Sequence, residues 1–117
     1  MFNKAKIIKK MAKYGANINE GLARFLNDEK LYVECLNLLL SDEKFLSLGE
    51  AINKDEFDRS YTIAVALKGA IGNLEIIPLY DIISVIVSDL SIYDYSNLKV
   101  SYEKLMKEYD SFKKAMQ

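Results

Sequence analysis

Few residues of this chain can do chemistry, and the most suggestive of them lie in one stretch, Ala64-Val65-Ala66-Leu67-Lys68-Gly69, followed by Gly72, Asn73 and Leu74. A lysine beside a position without a side chain is what an incoming anionic group requires. The 117 residues include no histidine, so no imidazole can serve as nucleophile, general base or metal ligand. The single cysteine, Cys35, excludes an internal disulfide. Without histidine it also excludes a zinc site of nitrogen and sulfur ligands. In the run Val33-Glu34-Cys35-Leu36 the thiol is expected to be a small buried hydrophobe. There is no glycine-rich phosphate loop and no nucleophile–base pair, and the adjacent carboxylates Asp55 and Glu56 read as helix N-terminal charge. The expectation is a protein that is not an enzyme and that holds neither metal nor cofactor.

The elements that position this stretch are helical. Pro78 is the only proline and glycines are sparse, which favours long uninterrupted helices. Phe2, Ile7, Ile8 and Met11 define one side of a helix over 2–13, with Lys4, Lys6, Lys9, Lys10 and Lys13 elsewhere and Gly15 as its stop. Asn17 with Glu20 forms a capping box for a helix over 18–26. Asp28 caps 29–40, with Leu31, Tyr32, Cys35, Leu36 and Leu39 as its apolar face. Ser41 or Asp42 opens a further helix through Phe45 and Leu48 to Ala51. Asp55 is expected to cap a helix over 56–72 that carries the stretch, with Gly72-Asn73 ending it. Pro78 suits the first turn of 78–90, and Ser96 is expected to cap 97–116. In that last helix Tyr95, Tyr102 and Tyr109 recur every seven residues, interleaved with Leu98, Leu105 and Phe112, the seam of helices packed at a shallow angle. Residues 1–117 therefore read as one all-α domain, an antiparallel four-helix bundle with short additional N-terminal helices.

At about 100° per residue, Phe57, Ala64, Leu67, Ile71 and Leu74 gather on the core side of the 56–72 helix. Asp58, Thr62, Val65, Gly69 and Gly72 gather on the other, with Lys68 at the margin. Val65 is then the one large apolar side chain on a polar or bare face. A mid-helix glycine costs about 1 kcal/mol relative to alanine, so Gly69 needs a reason. One reason is close approach of another surface, with Lys68 able to lean over position 65. The other is ordinary packing of a neighbouring helix against Gly69 and Gly72, with Lys68 a solvated charge.

The segment Gly15-Ala16-Asn17-Ile18-Asn19-Glu20-Gly21-Leu22-Ala23-Arg24-Phe25 resembles the start of bacterial histidine-containing phosphotransfer (HPt) domains. Leu31-Tyr32 through Leu39 looks like their next helix. Asp55, Ala64, Leu67-Lys68-Gly69, Asn73-Leu74 and Leu79 fall in the order that family shows around its phosphorylation site. The resemblance spans roughly residues 15–90. It implies a four-helix bundle in which an exposed histidine takes phosphate from a receiver-domain aspartate or a kinase histidine. It further implies that Lys68 favours the phosphoryl group and that Gly69 keeps the site open. Val65 occupies the histidine position. Valine has no lone pair, so the resemblance is to a degenerate member that cannot carry phosphate. The expected partner surface is Val65, Lys68, Gly69, Thr62 and Gly72. The expected partner is a response-regulator receiver domain or a histidine kinase, and the expected role is that of an adaptor or competitor.

Two alternatives remain: a structural or oligomerisation bundle no longer tied to the phosphorelay, and a working relay whose histidine was replaced. An exposed tyrosine stripe would make a homodimer; packed tyrosines would leave a monomer or weak homodimer. Sixteen basic and 17 acidic residues give a net charge of −1, with no global pull towards nucleic acid or membrane. Five lysines and no acid occupy the first 13 residues. This asymmetry invites contact with an anionic partner or membrane surface, but the short apolar face of the helix is expected to dock on the bundle and leave the lysines solvated. The absence of an apolar run of about 20 residues and of a signal-peptide core points to a cytoplasmic setting.

Overall fold

The computed structural model describes residues 4–117. These form seven helices: α1 (Lys4–Tyr14), α2 (Ile18–Arg24), α3 (Glu29–Leu40), α4 (Lys44–Asn53), α5 (Phe57–Asn73), α6 (Ile77–Ser91) and α7 (Leu98–Met116). Phe2, assigned above to the apolar side of the first helix, lies outside the described residues. Among the described residues there is no strand, only an isolated antiparallel bridge between Ala16 and Ile76.

Helix α4 packs on α5 and α7, and α6 packs on α5 and α7, so the last four helices close a circuit. Helix α1 lies against α7, α3 and α2. The circuit encloses fully buried Leu48, Leu67, Ile71, Ile83 and Leu105, and Met11 of α1 and Leu36 of α3 are buried with them. Burial of each such side chain contributes about 1.5–3 kcal/mol.

Tyrosine hydroxyls tie the helices together by donating to backbone carbonyls of neighbouring helices. Tyr32 of α3, wholly buried, donates to the Leu74 carbonyl at 2.7 Å, where α5 ends. Tyr109 donates to the Leu39 carbonyl of α3, and Tyr102 to the Phe45 carbonyl of α4, each at 2.7 Å. The Tyr109 ring stacks on Phe45 with centroids 3.6 Å apart, and Tyr95 stacks on Phe57 at 3.7 Å. The heptad tyrosines are thus packed into the bundle, with Tyr102 and Tyr95 half-buried at its rim. Cys35 is half-buried too, where the sequence led us to expect full burial.

The start signals held in part. Asn17 Oδ1 accepts from the Glu20 amide at 3.3 Å and Asp28 Oδ1 from the Leu31 amide at 3.0 Å. The reciprocal arm of the capping box is not made, because the Asn17 amide donates to the Glu75 carbonyl at 2.9 Å. Asp55 does not cap α5, which begins without a side-chain cap at Glu56. Asp55 instead closes α4 in the left-handed region, φ 55°, with its amide on Ile52 and the Glu56 amide on the Ala51 carbonyl. That double closure is a Schellman ending with aspartate where glycine is usual. Helix α5 ends at Asn73 as expected, but the left-handed residue that closes it is Glu75, at φ 56°, and not a glycine. Tyr93 does the same for α6 at φ 59°. Ser96 does not cap α7; its hydroxyl and amide both donate to Asp94 Oδ1. Those two bonds hold the Asp94 carboxyl below its usual value. Only Gly15, at φ 124°, follows the expected glycine stop.

Candidate functional site

Ala64, Leu67 and Ile71 are buried, anchoring α5 to the core, and this turns the opposite side of the helix outward. Val65 is 42% exposed there. One turn on, a Cβ built at Gly69 would meet no atom within 4 Å, so the glycine opens onto free space. Gly72 is different. A Cβ there would lie 3.0 Å from Tyr80 Cε1, so this glycine admits the α6 tyrosine and serves packing. The two glycines, alike in the sequence, have separate reasons.

Lys68 is drawn towards α6. Its ammonium sits 5.6 Å from the centre of the Tyr80 ring, held by a cation–π contact. Among the described residues it has no carboxylate partner. Val65, Lys68, Gly69 and Gly72 line one cleft of about 520 Å³, with Arg24, Asn73, Glu75, Ile77 and Tyr80. Arg24 Nε is bound to Glu75 Oε1 at 3.0 Å, which joins α2 to the α5–α6 turn at the rim of the cleft. That leaves Lys68 as the cation without an acid at the cleft, beside a bare stretch of helix.

Thr62 is on the same face but not in this cleft. Its hydroxyl donates to the Asp58 carbonyl at 3.2 Å, and it lines a second recess of about 390 Å³ with Phe57, Tyr61, Tyr93 and Tyr95. Tyr61 corrects the reading of Val65 as the one large apolar residue on the face: it is 41% exposed, four residues before Val65. The i,i+4 spacing carried that signal. Arg24, Glu75 and Tyr80 could not be found the same way, because they reach the cleft from α2, the α5–α6 turn and α6. A larger recess of about 740 Å³ runs between α3, α4 and the end of α5, and Cys35, Leu38 and Ala70 line it. Asn73 lines both this recess and the Val65 cleft.

The face can offer apolar contact, one ammonium and exposed helix backbone. Among the described residues no group of His, Cys, Asp or Glu is arranged to hold a metal ion, and no helix is long and apolar enough to cross a membrane. Comparison of the chain with known protein families, with curated proteins and with solved structures returns no match.

Proposed function

We propose that this chain is a degenerate HPt-like domain that binds receiver domains of two-component response regulators without exchanging phosphate. In this reading α4 to α7 form the antiparallel four-helix bundle of that family, with α1 to α3 as the additional N-terminal helices. The α5 face takes the place of the phosphorylation site. The observation that carries the proposal is the open space at Gly69 beside half-exposed Val65, with Lys68 at the cleft. A half-exposed valine on a cleared helix suits an interface, where its burial is favourable. The histidine-free composition leaves docking, and not transfer, as the activity of the face. Occupying a receiver in this way would compete with a phosphate-carrying partner.

Titration of the protein against the receiver domains of its own cell tests this. Binding is expected for at least one. Gly69→Arg should abolish it, because the new side chain projects into the open face from a position where its Cβ meets no neighbouring atom. An intact fold that binds no receiver would sink the proposal. The competing reading, a structural or oligomerisation bundle, draws on the exposed Ile92 and Tyr93. Light scattering across a concentration series, showing a stable homodimer, would favour it.

A further inference from the structure

Helix α1 carries five lysines and no acid, and it lies along the last turns of α7. The register is set by Tyr14, whose ring packs on Phe112 at 4.9 Å and whose hydroxyl bonds Glu108. From residue 104 onward α7 adds four lysines against two carboxylates, Glu108 and Asp110. Both carboxylates are engaged, Glu108 by Tyr14 and Asp110 by Lys113 at 3.7 Å. This wall therefore holds a surplus of seven positive charges. The rest of the chain, with seven cations and fifteen carboxylates, holds a deficit of eight. The net charge of −1 conceals a strongly two-sided molecule.

We infer that the α1–α7 wall is an electrostatic docking surface for an anionic phospholipid bilayer. The large apolar residues of α1 pack on the core, Ile7 and Ile8 half-buried and Met11 fully buried, so the wall adsorbs by charge and does not insert. All nine cations are lysines, compact point charges that suit a field of headgroups; the forked recognition that arginine provides is missing. The aromatic rings on the wall are committed inward, Tyr14 to Phe112 and Tyr109 to Phe45, so no platform is offered for stacking bases. The clefts described above open on other helices. The acidic remainder would be repelled by an anionic surface, which selects one orientation. In the helix circuit α7 lies across from α5, so docking leaves the Val65 face turned away from the lipid.

The test is sedimentation of the full chain with vesicles of phosphatidylcholine alone and of phosphatidylcholine with phosphatidylserine. Binding is expected only to the anionic vesicles, and at least tenfold weaker when salt is raised from about 0.05 M to about 0.5 M, as the Debye length shrinks. Combined Lys9→Gln, Lys13→Gln and Lys107→Gln substitution should weaken binding at least tenfold with the melting temperature unchanged. Lys30→Gln, Lys54→Gln and Lys99→Gln together should leave it intact. No binding to anionic vesicles at low salt, equal binding to neutral ones, or equal loss in both triple variants overturns the inference. Binding to duplex DNA as tight as to the anionic vesicles overturns the assignment to lipid.

Discussion

Val65 decides what the α5 face cannot do, and its neighbours decide what it can. A side chain 42% exposed beside open space at Gly69 has room for an imidazole. Val65→His should therefore let the domain accept phosphate from phosphoramidate: the ring nitrogen bonds phosphorus, and ammonia leaves with the proton. Phosphorus NMR would show the phosphohistidine. An unmodified, folded V65H would argue against the phosphotransfer ancestry of the frame. Two glycines give a sharper contrast. Gly69→Ala meets nothing and should raise stability by about 1 kcal/mol, the helix-propensity difference. Gly49→Ala would place its Cβ 2.5 Å from the Tyr102 ring, which the Phe45 carbonyl holds in place. It should lower stability by about 1–3 kcal/mol through overpacking. Thermal or urea denaturation reads both; equal effects of opposite expectation would refute the distinction. Nothing in the sequence around Gly49 announces its role, since Tyr102 arrives from 53 residues away.

Among the elements, the helix starts were more legible than the stops. Asn17 and Asp28 sit at starts because a short side-chain acceptor reaches an amide within the same turn, a local geometry that sequence spacing encodes. The stops depend on residues forced into the left-handed region, where glycine is expected and is absent at Asp55, Glu75 and Tyr93. What holds them there is the helix that follows and its packing. For an L residue this conformation costs roughly 1–2 kcal/mol. Tyr93→Gly should relieve it, because the ring is 78% exposed and loses little packing. A gain of about 1 kcal/mol in chemical denaturation is expected; a loss would mean that the tyrosine ring contributes more than its exposure suggests.

For the whole molecule, the buried tyrosines link stability to alkaline pH. Burial first, and Glu75 second, pushes the Tyr32 hydroxyl up to about 12. Burial, with Asp42 and Asp110 behind it, does the same for Tyr109. Burial and the bond to Glu108 also raise Tyr14. The unfolded chain releases these protons near pH 10 while the folded chain keeps them, so the folded state binds more protons above that point. Stability is intact below about pH 10 and falls as pH rises towards about 12, by of order 2 kcal/mol for each of Tyr32 and Tyr109. Melts followed by circular dichroism from about pH 8 upward should show this decline, and Tyr32→Phe should reduce its slope. A wild-type profile that stays flat to about pH 11 would contradict it.

Taken alone, the sequence determined the all-helical class, the helix order, the outward side of α5 and the impossibility of histidine chemistry. These follow from periodicity, capping and composition, which act over one or two turns. The tertiary structure decided what depends on residues distant along the chain. It separated Gly69, open to solvent, from Gly72, filled against Tyr80. It drew Lys68 towards Tyr80 and brought Arg24 and Glu75 to the same cleft. It also laid the lysines of α1 beside those of α7, nearly the full chain length away, turning a near-neutral composition into two oppositely charged sides. Net charge sums over the chain, whereas the field at a surface depends on which charges folding places side by side.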